Sequence, residues 1–232
     1  MIDLVIFGAG GLGQMVFDIL HAARGIHVVG FLDSDRSLHG STVGAVRVIG
    51  GLESIDTLRR RGVSHAVVAI GDNPTRVEIA DAIRARRLEL ASAVHPAASI
   101  SIHAEIGAHV IIGPRATLCV HARVAEHAVI GAGCIVEHEG SVGRGSFLHP
   151  AVRLAGAVTV EAYVTLGIGC TVIPGRRIAA GARVEPGSIV IRDVSTGGHV
   201  GGIPAAPLPA PASRFRAAAE VGGRVSTGVF RR

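Results

Sequence analysis

The chain has 232 residues, 48% of them apolar but only 3% aromatic, and every one of its 23 basic residues is arginine, for a formal charge of +5. One Tyr, no Trp and a dispersed charge leave no basic stripe with stacking aromatics for a nucleic acid. No run approaches the roughly 18 apolar residues of a membrane helix, and Cys119, Cys134 and Cys170 lack the spacing of a zinc set or a disulfide framework, so a soluble protein of the reducing cytoplasm is expected.

Residues 1–93 alternate short apolar runs with amphipathic stretches. "DLVIF" predicts a strand, Leu12 to Ala23 a helix, "HVVGFLD" a second strand and Leu52 to Arg61 a second helix closed by the cationic run "RRRG". "HAVVAIG" predicts a further strand, and Pro74 to Arg87 a third helix opened by "DNPT". That order is the signature of βαβ units around a parallel sheet, hence an α/β Rossmann-like domain.

At Val94 the period changes. Stepping by six gives Val94, Ile100, Ile106, Ile112, Leu118, Val124, Ile130, Val136, Val142, Leu148, Leu154, Val160, Leu166, Val172, Ile178, Val184 and Val190, every one Val, Ile or Leu. Four places after most of them stands a small residue such as Ala116, Ala122, Cys134 or Ser188. An unbroken hexad predicts a left-handed parallel β-helix over residues 94–192, three hexads to a coil and residues 18 apart stacked about 4.8 Å from one another. Cys134 and Cys170 then lie two coils apart on one inward row, out of bonding range. Residues 193–232 read as a Pro- and Ala-rich extension whose last twenty residues are mobile or weakly helical.

Two stretches carry chemistry. "FGAGGLG" sets Gly8, Gly10 and Gly13 between the first strand and helix, with Asp33 ending the second strand. This is the fingerprint that seats a diphosphate on a helix N-terminus and gives an acid to ribose hydroxyls, although a tight turn alone could also account for it. Only about one mononucleotide half precedes the hexads, which suits a nucleotide sugar better than a dinucleotide. The second stretch, "VEHEG", puts His138 beside Glu139. An amine or hydroxyl attacking a thioester needs a proton acceptor with pKa near neutrality, which histidine supplies and a neighbouring carboxylate can raise. Gly156 falls 18 residues beyond His138, one coil on, where its missing side chain would admit a thioester and its N–H could face an oxyanion. His103, His109, His121 and His127 sit one place later in their hexads; they offer no third ligand for a metal, and none is expected.

Together, "IFGAGGLGQMV", "GFLDSD", "VAIGDNPTR", "VEHEGSVG", "LAGAVTV" and "GGIPA" resemble the sugar O-acyltransferase family that includes sialic acid O-acetyltransferases and acetyl-CoA-dependent N-acetyltransferases of nucleotide-linked 4-amino sugars. The resemblance implies that His138 is the general base and Glu139 its acid partner. It implies a nucleotide sugar held by Gly10, Gly11, Leu12, Asp33, Ser34, Gly71 and Pro74. It places acetyl-CoA along the β-helix between two subunits of a homotrimer, with contacts at Phe147, Ile168 and Pro186 and with His149 two places from the first. The chain departs from the family at Leu12, where a polar residue is usual, and at Phe147, where a histidine is. Pro186 stands for a glycine and lacks an N–H, and Ala206 replaces the basic residue after "GIPA". The expected activity is acetylation of the amino group of a nucleotide-linked amino sugar. O-acetylation of a sugar or sialic acid, and a non-catalytic or carbonic-anhydrase-like β-helix, are the alternatives.

Overall fold

A computed structural model of the chain describes residues 1–23 and 25–209. The N-terminal part contains β1 (Ile2–Phe7), α1 (Gly11–Ala22), β2 (Ile26–Leu32), β3 (Thr42–Val43), β4 (Val46–Arg47), α2 (Ile55–Arg60), β5 (His65–Val68), α3 (Asn73–Ala85) and β6 (Glu89–Leu90). β2, β1, β5 and β6 pair in that order as one parallel sheet, the half-Rossmann expected from the alternating pattern. Three details were not read from the sequence. Leu52–Ser54 is a 3-10 turn before α2; Thr42–Val43 and Val46–Arg47 form a small hairpin around Gly44, whose φ of 60° suits a glycine; and "LEL" supplies the edge strand β6. Each is too short to show a period.

From Ala93–Val94 (β7) to Ile189–Val190 (β23) the chain runs as seventeen two-residue strands, each ending on one of the aliphatic residues at six-residue spacing. Partners in register are 18 residues apart, as in Ile112↔Ile130 and Leu154↔Val172. These seventeen strands stack six, six and five to a face of a triangular prism, and one face of six belongs to a sheet of eight that also takes in two later strands. From Ile112 onward the hexad residues and the small corner residues fill one continuous buried core, with Cys134, Val152 and Cys170 on one row and both thiols free. Each such Val, Ile or Leu contributes roughly 1.5–3 kcal/mol by leaving water.

The corners explain most of the scattered histidines. From Ile106 to Val184 the third residue after the hexad aliphatic is left-handed: His109, Arg115, His121, His127, Glu139, Ala151, Ala157 and Tyr163 have φ between 53° and 62°, and Gly133, Gly145, Gly169, Gly175, Gly181 and Gly187 fill the same position in other coils. Histidine is enriched in that conformation relative to most side chains, which accounts for His109, His121 and His127; His103 holds the same place in its hexad without a left-handed φ. The rings of His103 and His121, one coil apart, are tilted at 40° with centroids 5.8 Å apart.

The prism does not stop at residue 192. His199–Gly202 (β24) pairs with β22 and Ala205–Pro207 (β25) pairs antiparallel with β24, which brings that face to eight strands. "GGIPAAP" thus closes the end of that face. The tail expected to be mobile or weakly helical lies beyond residue 209, outside the described residues.

The same face also joins the two halves. Ala93, Ile111, Val129 and Phe147 point outward from it into a core shared with Leu4, Ile6, Val16, Ile19, Leu20 and Val67. Buried at this junction are His109 and His127, whose Nδ1 atoms lie 2.8 Å apart. His109 Nε2 accepts the Val68 N–H at 2.9 Å, so the proton of the neutral ring is on Nδ1 and is donated to His127 Nδ1. The remaining proton, on His127 Nε2, faces the Glu126 carboxylate at 3.7 Å without a hydrogen bond.

Burial first, then His127, Arg76 and Arg84, push the His109 pKa down to about 3, and burial lowers that of His127 too. An unfolded histidine titrates near 6.5, so below that pH the unfolded chain binds the extra proton. The contribution is fully present above about pH 6.5 and is lost as pH falls towards the folded value. Between pH 7 and pH 5, His109 alone is expected to cost about 2 kcal/mol, which calorimetry reads as a Tm lower by roughly 4–8 °C. His109→Asn, which tolerates the left-handed corner, should flatten that dependence; an unchanged slope would assign it to other groups.

Candidate active site

The glycine loop runs from the end of β1 into α1, and its glycines differ in what they exclude. Gly8 has φ 110°, and a Cβ there would collide with the Ala69 carbonyl; at Gly13 it would collide with the Gly8 carbonyl. Those two are required by the turn and by the packing of helix on strand. At Gly10 and Gly11 a Cβ would meet nothing within 4 Å. Gly10 is the N-cap of α1, without a side-chain cap and with no acid in the first turn, so the helix start is bare. Leu12 packs its half-buried side chain against the core.

Asp33 is half-buried and spends both carboxylate oxygens on backbone: Oδ2 accepts the Ala9 N–H at 2.8 Å and Oδ1 the Asp35 N–H at 2.9 Å. It ties the glycine loop to the exit of β2, beside exposed Ser34, and each oxygen keeps a lone pair for a ribose hydroxyl.

A cavity of about 710 Å³ lies where α3 begins against the eight-stranded face. It brings together Gly71 and Pro74 with Phe147, His149, Ile168 and Pro186, six residues expected to serve the sugar and acetyl-CoA. Phe147 is 8% exposed, stacked parallel on the His149 ring at 4.3 Å. It forms the wall behind His149 and leaves the imidazole to present the polar edge. Burial first, and then Arg183, lower the His149 pKa, so a neutral imidazole faces the cavity at neutral pH. Ile168 is 56% exposed. Glu185, also in the cavity lining, lies 2.7 Å from His199 Nε2 and accepts from Arg183 Nε at 3.1 Å, contacts that hold its carboxyl below the usual range.

Three residues that sequence reasoning did not single out hold this cavity open. The two hydrogens of Asn73 Nδ2 are shared among Tyr163 O, Val164 O and Thr165 Oγ1, while its Oδ1 accepts from Arg76. Arg76 is fully buried: Nε reaches His127 O, Nη1 Ile70 O and Nη2 Gly145 O, with the guanidinium 5.7 Å from the Phe147 centroid. Burial outweighs nearby Asp72 and pulls its pKa down to about 10. The third is Tyr163. A signal for Arg76 was present, since it falls on the α3 face that buries Val77, Ala80 and Ile83.

His138 does not line this cavity. It stands exposed at the corner between the six-stranded and five-stranded faces, whereas His149 and Tyr163 flank the eight-stranded face. The Gly156 expectation needs correction: a Cβ there would collide with His138 Nε2 and Cε1, so the missing side chain admits the imidazole and not a thioester. The Gly156 N–H makes no hydrogen bond among the described residues, so an oxyanion donor is still available. Glu139, at φ 58°, makes no hydrogen bond or ion pair with His138. Among the described residues no three His, Cys, Asp or Glu side chains are grouped to hold a metal, and no helix is long and apolar enough to cross a membrane.

The family described as the PglD N-terminal domain matches residues 3–83. The UDP-3-O-acylglucosamine N-acyltransferase of Methylorubrum extorquens is 36% identical over 73 residues, which span 32% of this chain and 21% of that enzyme's own length. The structure of PerB from Caulobacter crescentus, solved with CoA and GDP-perosamine, is 32% identical over 89% of this chain and 97% of its own, with a TM-score of 0.84. The acetyltransferase domain of PglB from Neisseria gonorrhoeae, solved with acetyl coenzyme A, is 25% identical over 89% and 98%, with a TM-score of 0.81. Agreement across nearly the whole of two such chains, through both the glycine-loop half and the prism, settles the family: this chain is a member of the hexapeptide-repeat sugar acyltransferases with a PglD-type N-terminal domain.

Proposed function

We propose that the protein transfers the acetyl group of acetyl-CoA to the amino group of a nucleotide-linked amino sugar, with His138 as general base. The observation that carries this reading is the cavity in which the Gly71–Pro74 loop of the N-terminal half faces His149, Ile168 and Pro186 of the prism. The glycine loop would seat the diphosphate on the open helix start, and the prism would carry the pantetheine. The sugar nitrogen attacks the thioester carbonyl, its proton passes to the His138 imidazole, and the C–S bond breaks to release CoA as the thiolate, which takes a proton. The Gly156 N–H is the candidate donor to the oxygen that gains charge.

His138 lies on a different edge of the prism from this cavity, so one chain holds the binding walls and another supplies the base. A homotrimer, edge of one prism against cavity of the next, meets that requirement, and light scattering that returns a monomer at micromolar concentration would sink it. A cytoplasmic location follows from the substrates.

The test is a mass-spectrometric screen of acetyl-CoA with UDP-, GDP- and dTDP-linked amino sugars, in which one sugar should gain an acetyl group as an amide. An ester product on a hydroxyl sugar would move the reading to O-acetylation; no acetylated product and no nucleotide-sugar binding would remove it. Gly10→Val asks the same of the loop. The backbone, at φ −75°, accepts valine and the space is open, so the fold should stand while the sugar KM rises by ~10-fold or more. Unchanged sugar binding by calorimetry would make the loop a turn and nothing else.

A further inference from the structure

The one tyrosine of the chain adopts a backbone conformation that tyrosine seldom takes. Tyr163 has φ 59°, at a corner where the preceding coil uses Gly145 and the following coil Gly181. A left-handed φ is the rule at this corner and by itself marks no site; what sets Tyr163 apart is that an aromatic side chain fills a position held by glycine in the coils on either side.

The surroundings here are specific. The Tyr163 hydroxyl accepts from Arg144 Nη1 at 3.2 Å, and its carbonyl accepts from Asn73 Nδ2 at 3.3 Å. Its ring edge lies over Gly145, where a Cβ would come within 3.0 Å of both Tyr163 Cε1 and Val77 Cγ2. The half-buried ring also lines the cavity, beside Gly71, Asp72, Asn73 and Thr165. Those neighbours are polar or bare backbone, so Tyr163 and Pro74 supply the apolar wall at the α3 end, and Tyr163 is the aromatic part of it.

We propose that Tyr163 is a substrate-contacting specificity residue whose ring packs against the apolar C–H face of the acceptor's sugar ring and favours an acceptor deoxygenated along that edge. A tyrosine gives a large apolar contact at small entropic cost while its hydroxyl stays bonded to Arg144. An added hydroxyl pressed on such a wall loses its water without gaining a partner. The proposal rests on the reading of the cavity as the acceptor site.

The competing role is a gasket between the corner and α3, and glycine separates the two because the backbone at this corner suits glycine. The experiment measures Tm and the KM values for acetyl-CoA, GDP-perosamine and its 6-hydroxy counterpart in wild type, Tyr163→Gly and Tyr163→Phe. For a substrate wall, Tyr163→Gly keeps Tm and the acetyl-CoA KM, raises the GDP-perosamine KM by ~10-fold and narrows the preference over the 6-hydroxy sugar. Tyr163→Phe, which keeps the ring, restores most of that KM. A glycine variant with unchanged sugar KM and preference overturns the proposal, as does one that fails to fold or loses Tm and both KM values together. A wild type that neither binds nor acetylates any nucleotide amino sugar brings down the acceptor-site reading and this proposal with it; an active wild type with a silent glycine variant brings down the proposal alone.

Discussion

His138→Ala should lower kcat by ~10²–10⁴-fold, the loss expected when a general base is removed, while Tm stays near that of wild type. The fold tolerates the change because His138 is exposed on a corner and the inward rows, Val136 and Val142 on either side, are untouched. KM values should move little, since neither the cavity nor the glycine loop includes this residue. Gly156→Ala tests the same base from a distance. Its Cβ would occupy the place of Nε2 and Cε1, so the imidazole must swing away, and kcat should fall by ~10-fold or more from misplacement alone. Glu139→Gln should cost less than either, because that carboxylate makes no contact with the imidazole within the chain. Near-wild-type kcat in His138→Ala on a sugar that the enzyme acetylates would put the base elsewhere, with His149, a neutral imidazole in the cavity, the next residue to replace.

The hexads were fully legible because the signal repeats: one Val, Ile or Leu every sixth residue fixes the strand ends, the 18-residue register and the inward row together. The glycine loop was half legible. Its spacing located Gly8, Gly10 and Gly13, but only the structure separates the two that the fold requires from the one beside open space. What sequence could not give were contacts between halves with different periods. Asn73 and Tyr163 lie 90 residues apart, and nothing local in "GDNPTR" or "EAYV" announces that one clamps the other. His109 and His127 were read only as histidines one place later in their hexads that lack a third metal ligand; their pairing, and the burial that lowers both pKa values, come from the N-terminal sheet lying on that face.

Arg76→Met should destabilise the protein by about 4 kcal/mol and raise the KM for both substrates. Methionine matches the length and keeps the contact with Phe147, but it donates nothing. The carbonyls of His127, Ile70 and Gly145 then lose the donor that the guanidinium gave them, and Asn73 Oδ1 loses its partner, at roughly 1–3 kcal/mol for each buried acceptor. Against this stands the cost of burying a cation that makes no ion pair, a cost visible in its lowered pKa. The loss of partners outweighs that relief, because four acceptors are stranded and one charge is removed. The effect on function follows from position: Arg76 joins α3 to the corners at His127 and Gly145, and with Asn73 it sets the Gly71–Pro74 loop against the face that carries His149. Arg76→Lys restores the charge but not the planar fork, so one ammonium cannot reach four acceptors in different directions, and it should recover less than half of the lost stability. Chemical denaturation of both variants measures this. A methionine variant as stable as wild type would mean that water replaces the guanidinium at the junction, and that the two halves are held by the shared apolar core alone.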